Sequence, residues 1–104
     1  MKAQGYGIVR TDIDPDLVDT YVEAIRRLAE ELGVELRGIF EEGSDASLPM
    51  LLARIGTSRT TVIFVPSVAH VTGWMDVIRQ TGDAWTLEPR RCWRRLAGRE
   101  AAER

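Results

Sequence analysis

The chain has 104 residues, of which 44% are hydrophobic, and its net charge is −2. This length suffices for one domain and is too short for two, and the charge gives no global attraction to nucleic acid or to an acidic membrane. One cysteine excludes an intrachain disulfide, no secretory signal is visible, and no run approaches the roughly 20 apolar residues of a membrane span, so a cytoplasmic protein that does not contact membranes is predicted.

Charge is unevenly distributed along the chain. Residues 1–87 carry 8 basic and 13 acidic side chains, whereas residues 88–104 carry 6 arginines and 3 glutamates. The C-terminal segment is therefore a separate electrostatic element. We predict a compact domain over residues 1–88 and an arginine-rich helix or tail over 89–104.

The first half of the domain has the pattern of a strand, a helix and a strand. The first strand is predicted over residues 3–9, where Gly5 and Gly7 indicate that another part of the protein packs close to the backbone. Apolar residues at spacings of three and four then predict a helix over 17–32. A second strand over 36–41 implies a right-handed parallel crossover.

The ends of these helices also have sequence signals. Asp14 is a natural N-cap for the first helix, and Pro15 suits its first position. Gly33 is the expected C-terminal stop. Ser47 is a suitable cap for a second helix over 48–55.

The second half contains a buried strand and shorter elements. Residues 62–65 form a continuous apolar run, which is typical of a strand that is buried on both faces of a parallel sheet. The remaining predictions are a turn over 56–59, a helix over 74–80, a strand over 84–87 and a helix over 89–97. Together these elements predict a three-layer α/β fold, with a mainly parallel four-stranded sheet in the order 2-1-3-4 and helices on both faces.

Polar residues follow the carboxyl ends of the first three strands, where open parallel sheets bind ligands. The candidate ligand-binding residues are Arg10, Thr11 and Asp12 after the first strand, Glu41 after the second, and Ser67 and His70 after the third. The competing interpretation is that such residues cap helices or meet solvent. No metal or cofactor is predicted, because a single histidine without a second histidine or a cysteine motif makes a poor metal site.

Two of these candidates allow opposite interpretations. Arg10 can hold a phosphate or carboxylate near the start of the first helix, or it can form an ion pair with Asp12, Glu41 or Glu42. His70 can act as a general base, but no partner carboxylate is evident from the spacing.

The segment 89–96 is the strongest remaining signal. Its four arginines around a tryptophan can grip a nucleic acid backbone. Alternatively, Trp93 and Leu96 dock on the acidic body, or the segment forms a homodimer contact. Neighbouring arginines can lower the pKa of Cys92, although a packed cysteine is the simpler interpretation. The candidate nucleic-acid or partner-binding residues are Arg90, Arg91, Trp93, Arg94 and Arg95.

Three short motifs resemble the N-terminal catalytic domain of serine recombinases, the resolvase/invertase family. Residues 5–11 match its first strand, which ends in a Tyr-x-Arg-Val-Ser type motif. Residues 38–42 match a strand with an Ile-Phe-x-Asp/Glu type ending, and residues 62–73 match its third strand and the motif that follows. The resemblance covers about residues 3–88 and implies a resolvase-like α/β fold.

The family's catalytic residues have no counterparts here. The nucleophilic serine falls on Arg10 and the adjacent arginine on Ile8, while the aspartate, arginine and later arginine fall on Ala69, His70 and Gly73. Phosphoryl transfer by that route needs a hydroxyl nucleophile and cations, so the resemblance implies a fold without its chemistry.

We therefore predict a catalytically inactive resolvase-like domain that acts as an interaction or regulatory module and self-associates, with a second copy or another protein as its partner. One alternative is a DNA-binding accessory protein that uses the C-terminal arginines. The other is an enzyme of unknown chemistry with its site at the strand ends.

Overall fold

The computed structural model describes residues 3–55 and 61–96. Its regular elements are, in chain order, β1 (Gln4–Arg10), α1 (Val18–Leu32), β2 (Glu35–Glu42), α2 (Leu48–Ile55), β3 (Thr61–Val65), α3 (Met75–Thr81), β4 (Asp83–Leu87) and β5 (Arg90–Trp93). Short 3-10 helices at Pro15–Leu17, Asp45–Ser47 and Val68–Val71 join some of them. The turn predicted over 56–59 lies outside the described residues.

The five strands form one sheet in the order β2-β1-β3-β4-β5. Neighbours pair in parallel except β4 and β5, which are antiparallel. The chain is thus an α/β protein with a mostly parallel sheet. The predicted four-stranded sheet in the order 2-1-3-4 is not confirmed as stated, because a fifth strand extends the sheet beyond β4.

The C-terminal segment is where the sequence prediction was wrong. The helix predicted over 89–97 is replaced in its described part by β5, which places Trp93 opposite Ala84 and Arg90 opposite Leu87. The three-residue spacing of Trp93 and Leu96 suits a helix, but pairing with β4 satisfies the backbone of this segment and buries both side chains at least partly. Residues 97–104 lie outside the described residues.

Helices cover both faces of the sheet. α1 packs on one face through a buried cluster that includes Ile25, Leu28 and the β3 residue Phe64. α2 and α3 pack on the other face, around Ile8 and Ile63. All five residues of β3 are buried, which confirms the strand predicted at the centre of the sheet. Among the described helices, none is long and apolar enough to cross a membrane.

The glycines of β1 allow close packing on the α1 face. A Cβ atom at Gly5 would lie 2.7 Å from Val34 Cγ1, and one at Gly7 would lie 3.0 Å from Ile39 Cγ1. The close approach predicted from these two glycines is confirmed. The register of β1 with β2 shifts between Gly5 and Tyr6. Arg37 is therefore an extra residue in β2, which forms a β-bulge there.

The helix ends agree only partly with the sequence signals. Gly33 ends α1 in a left-handed conformation with φ of 68°, as predicted. Asp14 occupies the N-cap position of the 3-10 helix that leads into α1, with Pro15 in its first turn as predicted, but it makes no side-chain capping bond. Ser47 donates to the Glu42 carboxylate at 2.8 Å instead of capping α2. Ser44 caps the 3-10 helix before α2, since its hydroxyl accepts a bond from the Ala46 N–H at 3.2 Å.

Candidate functional site

The carboxyl ends of β1 and β3 meet around a buried histidine. His70 lies in the 3-10 helix Val68–Val71 that follows β3, and its side chain is fully buried. The Arg10 backbone N–H, at the end of β1, donates to His70 Nδ1 at 3.0 Å. The second ring nitrogen, Nε2, lies 3.3 Å from Asp14 Oδ2. One side chain therefore joins the ends of two strands to the segment that leads into α1.

The hydrogen bonds of His70 fix which ring nitrogen carries the proton. A backbone N–H can only donate, so Nδ1 must be the unprotonated acceptor. In the neutral ring the proton then lies on Nε2, which donates it to the Asp14 carboxylate. Both nitrogens are occupied, and neither faces solvent, since the side chain is fully buried.

Tyr21 completes this cluster. Its hydroxyl donates to Asp14 Oδ2 at 3.2 Å, and its ring meets the His70 ring edge-on, with centroids 5.3 Å apart and an interplanar angle of 89°. Burial raises the pKa of the Tyr21 phenol, and the negative charges of Glu88 and Asp14 raise it further. Tyr21 therefore stays a hydrogen-bond donor at neutral pH. We call His70, Asp14 and Tyr21 the histidine cluster.

The sequence interpretation missed two members of the histidine cluster. The sequence pattern assigns Asp14 to the start of the first helix, and Tyr21 belongs to the apolar periodicity of residues 17–32 without being distinguished by it. Asp14 precedes the 3-10 helix Pro15–Leu17 and Tyr21 lies in the first turn of α1, so no helical spacing relates the two residues. The carboxylate partner of His70 is Asp14, which lies 56 residues earlier in the sequence.

Arg10 is engaged by its neighbour Asp12. Arg10 Nε and Nη2 lie 2.8 Å and 2.7 Å from the two carboxylate oxygens of Asp12, in a forked geometry that charge-assisted pairs favour. The hydrogen bond from Arg10 lowers the pKa of Asp12, and Asp12 raises the pKa of Arg10. The interpretation of Arg10 as an ion-pair residue is the one that the structure supports, with Asp12 as the partner.

This pair predicts a pH dependence. The pKa of Asp12 is lower in the folded chain than its ordinary value, so the pair contributes stability at neutral pH that is lost as pH falls below about 4. We expect Arg10→Met to return the Asp12 pKa towards its ordinary value and to lower the melting temperature at pH 7 but not at pH 2–3.

A titration of the Asp12 carboxyl by NMR checks the pKa, and thermal melts at both pH values check the stability. The matched control is Arg27→Met, which removes an arginine from the exposed Glu23–Arg27 pair of α1. An Asp12 pKa that is the same in Arg10→Met and in the unaltered chain would contradict this assignment.

The other strand-end candidates have backbone or solvent roles. The Thr11 N–H donates to the Glu42 carbonyl at 2.9 Å, which extends the pairing of β1 with β2. The His70 N–H donates to the Ser67 carbonyl at 3.1 Å. Glu41 is exposed, and within the described ranges no hydrogen bond or ion pair links it to Arg10 or His70.

The arginine-rich segment is attached to the body of the domain. The Arg90 guanidinium forms an ion pair with Glu31 of α1. The Arg95 N–H donates to Asp83 Oδ1 at 2.6 Å, and the Arg94 carbonyl accepts a bond from Arg79 Nε at 2.8 Å. These contacts match the interpretation in which the segment docks on the acidic body.

Trp93 is part of that docking. Its half-buried side chain packs against the α2–α3 side of the core, and its Nε1–H lies 3.4 Å from Thr86 Oγ1. Arg91 covers the ring, with Cζ 4.0 Å from the ring centroid, at a distance typical of cation–π contacts. The indole is therefore not presented as a stacking platform.

Of the two interpretations of Cys92, the structure supports the packed cysteine. Burial raises the pKa of the thiol, Asp83 raises it further, and the opposing effect of Arg94 is smaller. A raised thiol pKa makes the reactive thiolate scarce at neutral pH. Cys92 is accordingly a packed cysteine, in agreement with the simpler interpretation.

Fold and site together define an α/β domain whose sheet-end polar groups hold the domain's own segments together. In residues 3–55 and 61–96 there is no group of three or more histidine, cysteine or carboxylate side chains arranged to hold a metal ion. Comparison of the chain with protein-family models, with curated proteins and with solved structures found no match.

Proposed function

We propose that this chain is a catalytically inactive interaction module that acts by self-association. The observation that carries the proposal is the saturation of His70, whose two ring nitrogens bond to the Arg10 N–H and to Asp14. His70 is the chain's single histidine, and it was the strongest candidate for a general base. The proposed function therefore depends on the outer surface of the domain.

The hydrogen bonds of His70 explain why this residue is a poor general base. A general base needs an unprotonated nitrogen within reach of a substrate proton. The unprotonated nitrogen here is Nδ1, and it is occupied by a main-chain donor of β1. Releasing Nδ1 would leave the Arg10 N–H without its partner, and an unsatisfied buried donor costs about 1–3 kcal/mol.

The proposal includes a resolvase-like fold. What supports it is the position of the three motifs, which fall on β1, β2 and β3 with their following turns. The positions of the family's nucleophile and third-strand cation hold Arg10 and His70, and both side chains are engaged within the domain. A resolvase-like domain with these substitutions keeps a scaffold and lacks the chemistry.

Light scattering coupled to size exclusion tests self-association directly. We expect a mass of about twice the 11.7 kDa of one chain at high protein concentration, falling towards the monomer on dilution. A monomer mass at every concentration would overturn the proposal.

DNA binding is the second candidate, and the exposed Arg90, Arg91 and Arg94 favour it. Two contacts argue against DNA binding. Arg90 is paired with Glu31, and the Arg91 guanidinium lies over the Trp93 ring. A generic duplex added to the same light-scattering samples at low salt distinguishes the two. Salt-sensitive binding of the duplex would favour the DNA candidate.

A further inference from the structure

β2 is an unusually long strand for the edge of a sheet. It spans eight residues, Glu35–Glu42, and pairs with β1 on one side. It lies at the end of the strand order, so its outer side carries no strand among the described residues. An edge of this length presents a row of N–H and C=O groups to which another strand can add, and proteins usually shorten or block such edges.

The sequence of β2 is complementary to itself when two copies run antiparallel with Ile39 opposite Ile39. In that register Gly38 of each copy lies opposite Phe40 of the other, and Glu41 lies opposite Arg37, the bulged residue at one end of the paired stretch. Directly opposite residues share one face of a sheet, and opposite charges and aromatic contacts there are favourable. Arg37 and Glu41 are both exposed. Arg37 lies 3.1 Å from Glu35 of its own strand, and in the dimer it would exchange this exposed ion pair for one with Glu41 of the second copy.

Gly38 directly follows the bulged residue Arg37, a position where glycine is common, and it also leaves unfilled space beside β2. Its φ is not positive, so no left-handed backbone requires a glycine. A Cβ atom placed there would meet nothing within 4 Å, in contrast to Gly5 and Gly7 of the adjacent strand. Glycine weakens a strand interior, and the open space beside it can accept a group from a second chain. The open space is on the sheet face that also carries Phe40.

In the antiparallel register Phe40 of the second copy lies opposite that space. Its half-buried ring stacks on Tyr6, with centroids 6.3 Å apart and an interplanar angle of 20°. An aromatic ring over a glycine on the opposite strand is a known means of stabilising glycine in a sheet. In the antiparallel register about Ile39 this contact forms twice, because the two-fold axis repeats it.

The other edge of the sheet lacks these properties. β5 has only four residues, and two of them are the exposed arginines Arg90 and Arg91. Two copies of β5 side by side would bring four arginines together, and like charges oppose pairing. Of the two edges, β2 is the one that suits a second copy.

We propose that two copies of this chain associate edge to edge through β2, antiparallel about Ile39, to form one continuous ten-stranded sheet. The inference rests on the proposed function and names the surface by which self-association occurs. The interface is isologous and closes at a dimer, because both outer β2 edges are consumed.

Charge reversal and its rescue test the register. We expect Arg37→Glu alone and Glu41→Arg alone each to raise the dimer dissociation constant about tenfold or more, because each places like charges opposite each other twice. The double variant, Arg37→Glu with Glu41→Arg, restores opposite pairs and should restore the dimer. Arg27→Glu is the matched control, since it reverses an exposed arginine of an ion pair on α1 and should leave the dimer unchanged.

Gly38→Thr tests the same interface by shape. The open space lets the isolated chain accept the side chain, so we expect an unchanged or higher monomer melting temperature. The threonine would occupy the place of the Phe40 ring from the second copy, so we expect loss of the dimer by light scattering.

The outcomes separate this inference from the proposed function. A dimer that resists Arg37→Glu and Gly38→Thr would overturn the β2 interface and leave self-association intact. A mass that grows beyond the dimer with concentration would overturn the closed two-fold pairing. A chain that is monomeric at every concentration would overturn both proposals.

Discussion

Gly82→Ala should be the most damaging single-methyl change in the described chain. A Cβ atom at Gly82 would lie 2.1 Å from the Thr61 carbonyl oxygen and 2.7 Å from its carbon. These are main-chain atoms at the start of β3, so no side-chain rotation can relieve the contact. We expect a loss of about 3 kcal/mol, which corresponds to roughly 12–24 °C in melting temperature for a domain of this size. Thermal or urea unfolding measures it.

The effect at Gly82 is steric, since its backbone is extended, with φ of −178° and ψ of −172°. Alanine adopts that conformation freely. Gly38→Ala is the matched control, because a Cβ atom at Gly38 meets nothing within 4 Å. It should be neutral or stabilising by about 0.5–1 kcal/mol. Equal melting temperatures for the two variants would show that Gly82 and Thr61 are not packed as described.

His70→Phe should give the second large effect. Phenylalanine keeps a ring of similar size against Tyr21 but removes both nitrogens. The Arg10 N–H would then be left without its acceptor and Asp14 without one of its two donors. We expect a loss of about 2 kcal/mol, or roughly 8–16 °C, in the free energy and temperature of unfolding.

His70→Asn separates hydrogen bonding from packing at this position. The side-chain oxygen of asparagine can accept the Arg10 N–H bond in place of Nδ1, but the amide is too short to reach Asp14. We therefore expect a stability between those of the unaltered chain and His70→Phe, even though asparagine fills the space less well. If His70→Asn were less stable than His70→Phe, ring packing would outweigh the hydrogen bond to β1.

Periodicity in the sequence was sufficient for the main elements of the fold. α1 has to bury one face and β3 has to bury both faces, whichever elements cover them. Their apolar patterns therefore predict the helix and the strand without knowledge of the neighbours. β5 could not be predicted in the same way. Its four residues acquire their strand conformation from pairing with β4, and the local pattern around Trp93 fits a helix equally well.

In the candidate site, too, contacts between sequence neighbours could be predicted and contacts between distant residues could not. Arg10 and Asp12 are two residues apart, so their pairing was among the interpretations that the sequence allowed. The contact between His70 and Asp14 depends on how the 3-10 helix Val68–Val71 turns the imidazole inward under β1. No spacing in a single sequence encodes that orientation, and this is why no carboxylate partner of His70 was evident from the sequence.

The central place of β3 has a consequence for synthesis of the chain. β1 pairs with β2 on one side and with β3 on the other, and Gln4 lies opposite Thr61. At translation rates of about 5–20 residues per second, Thr61 is made roughly 3–11 s after Gln4. Residues leave the ribosome in the order in which they are made, so the β3-facing edge of β1 remains open to other strands for at least that interval. The nascent chain therefore has its greatest exposure to misassociation before β3 is complete, and a chaperone that shields strand edges would act in that interval.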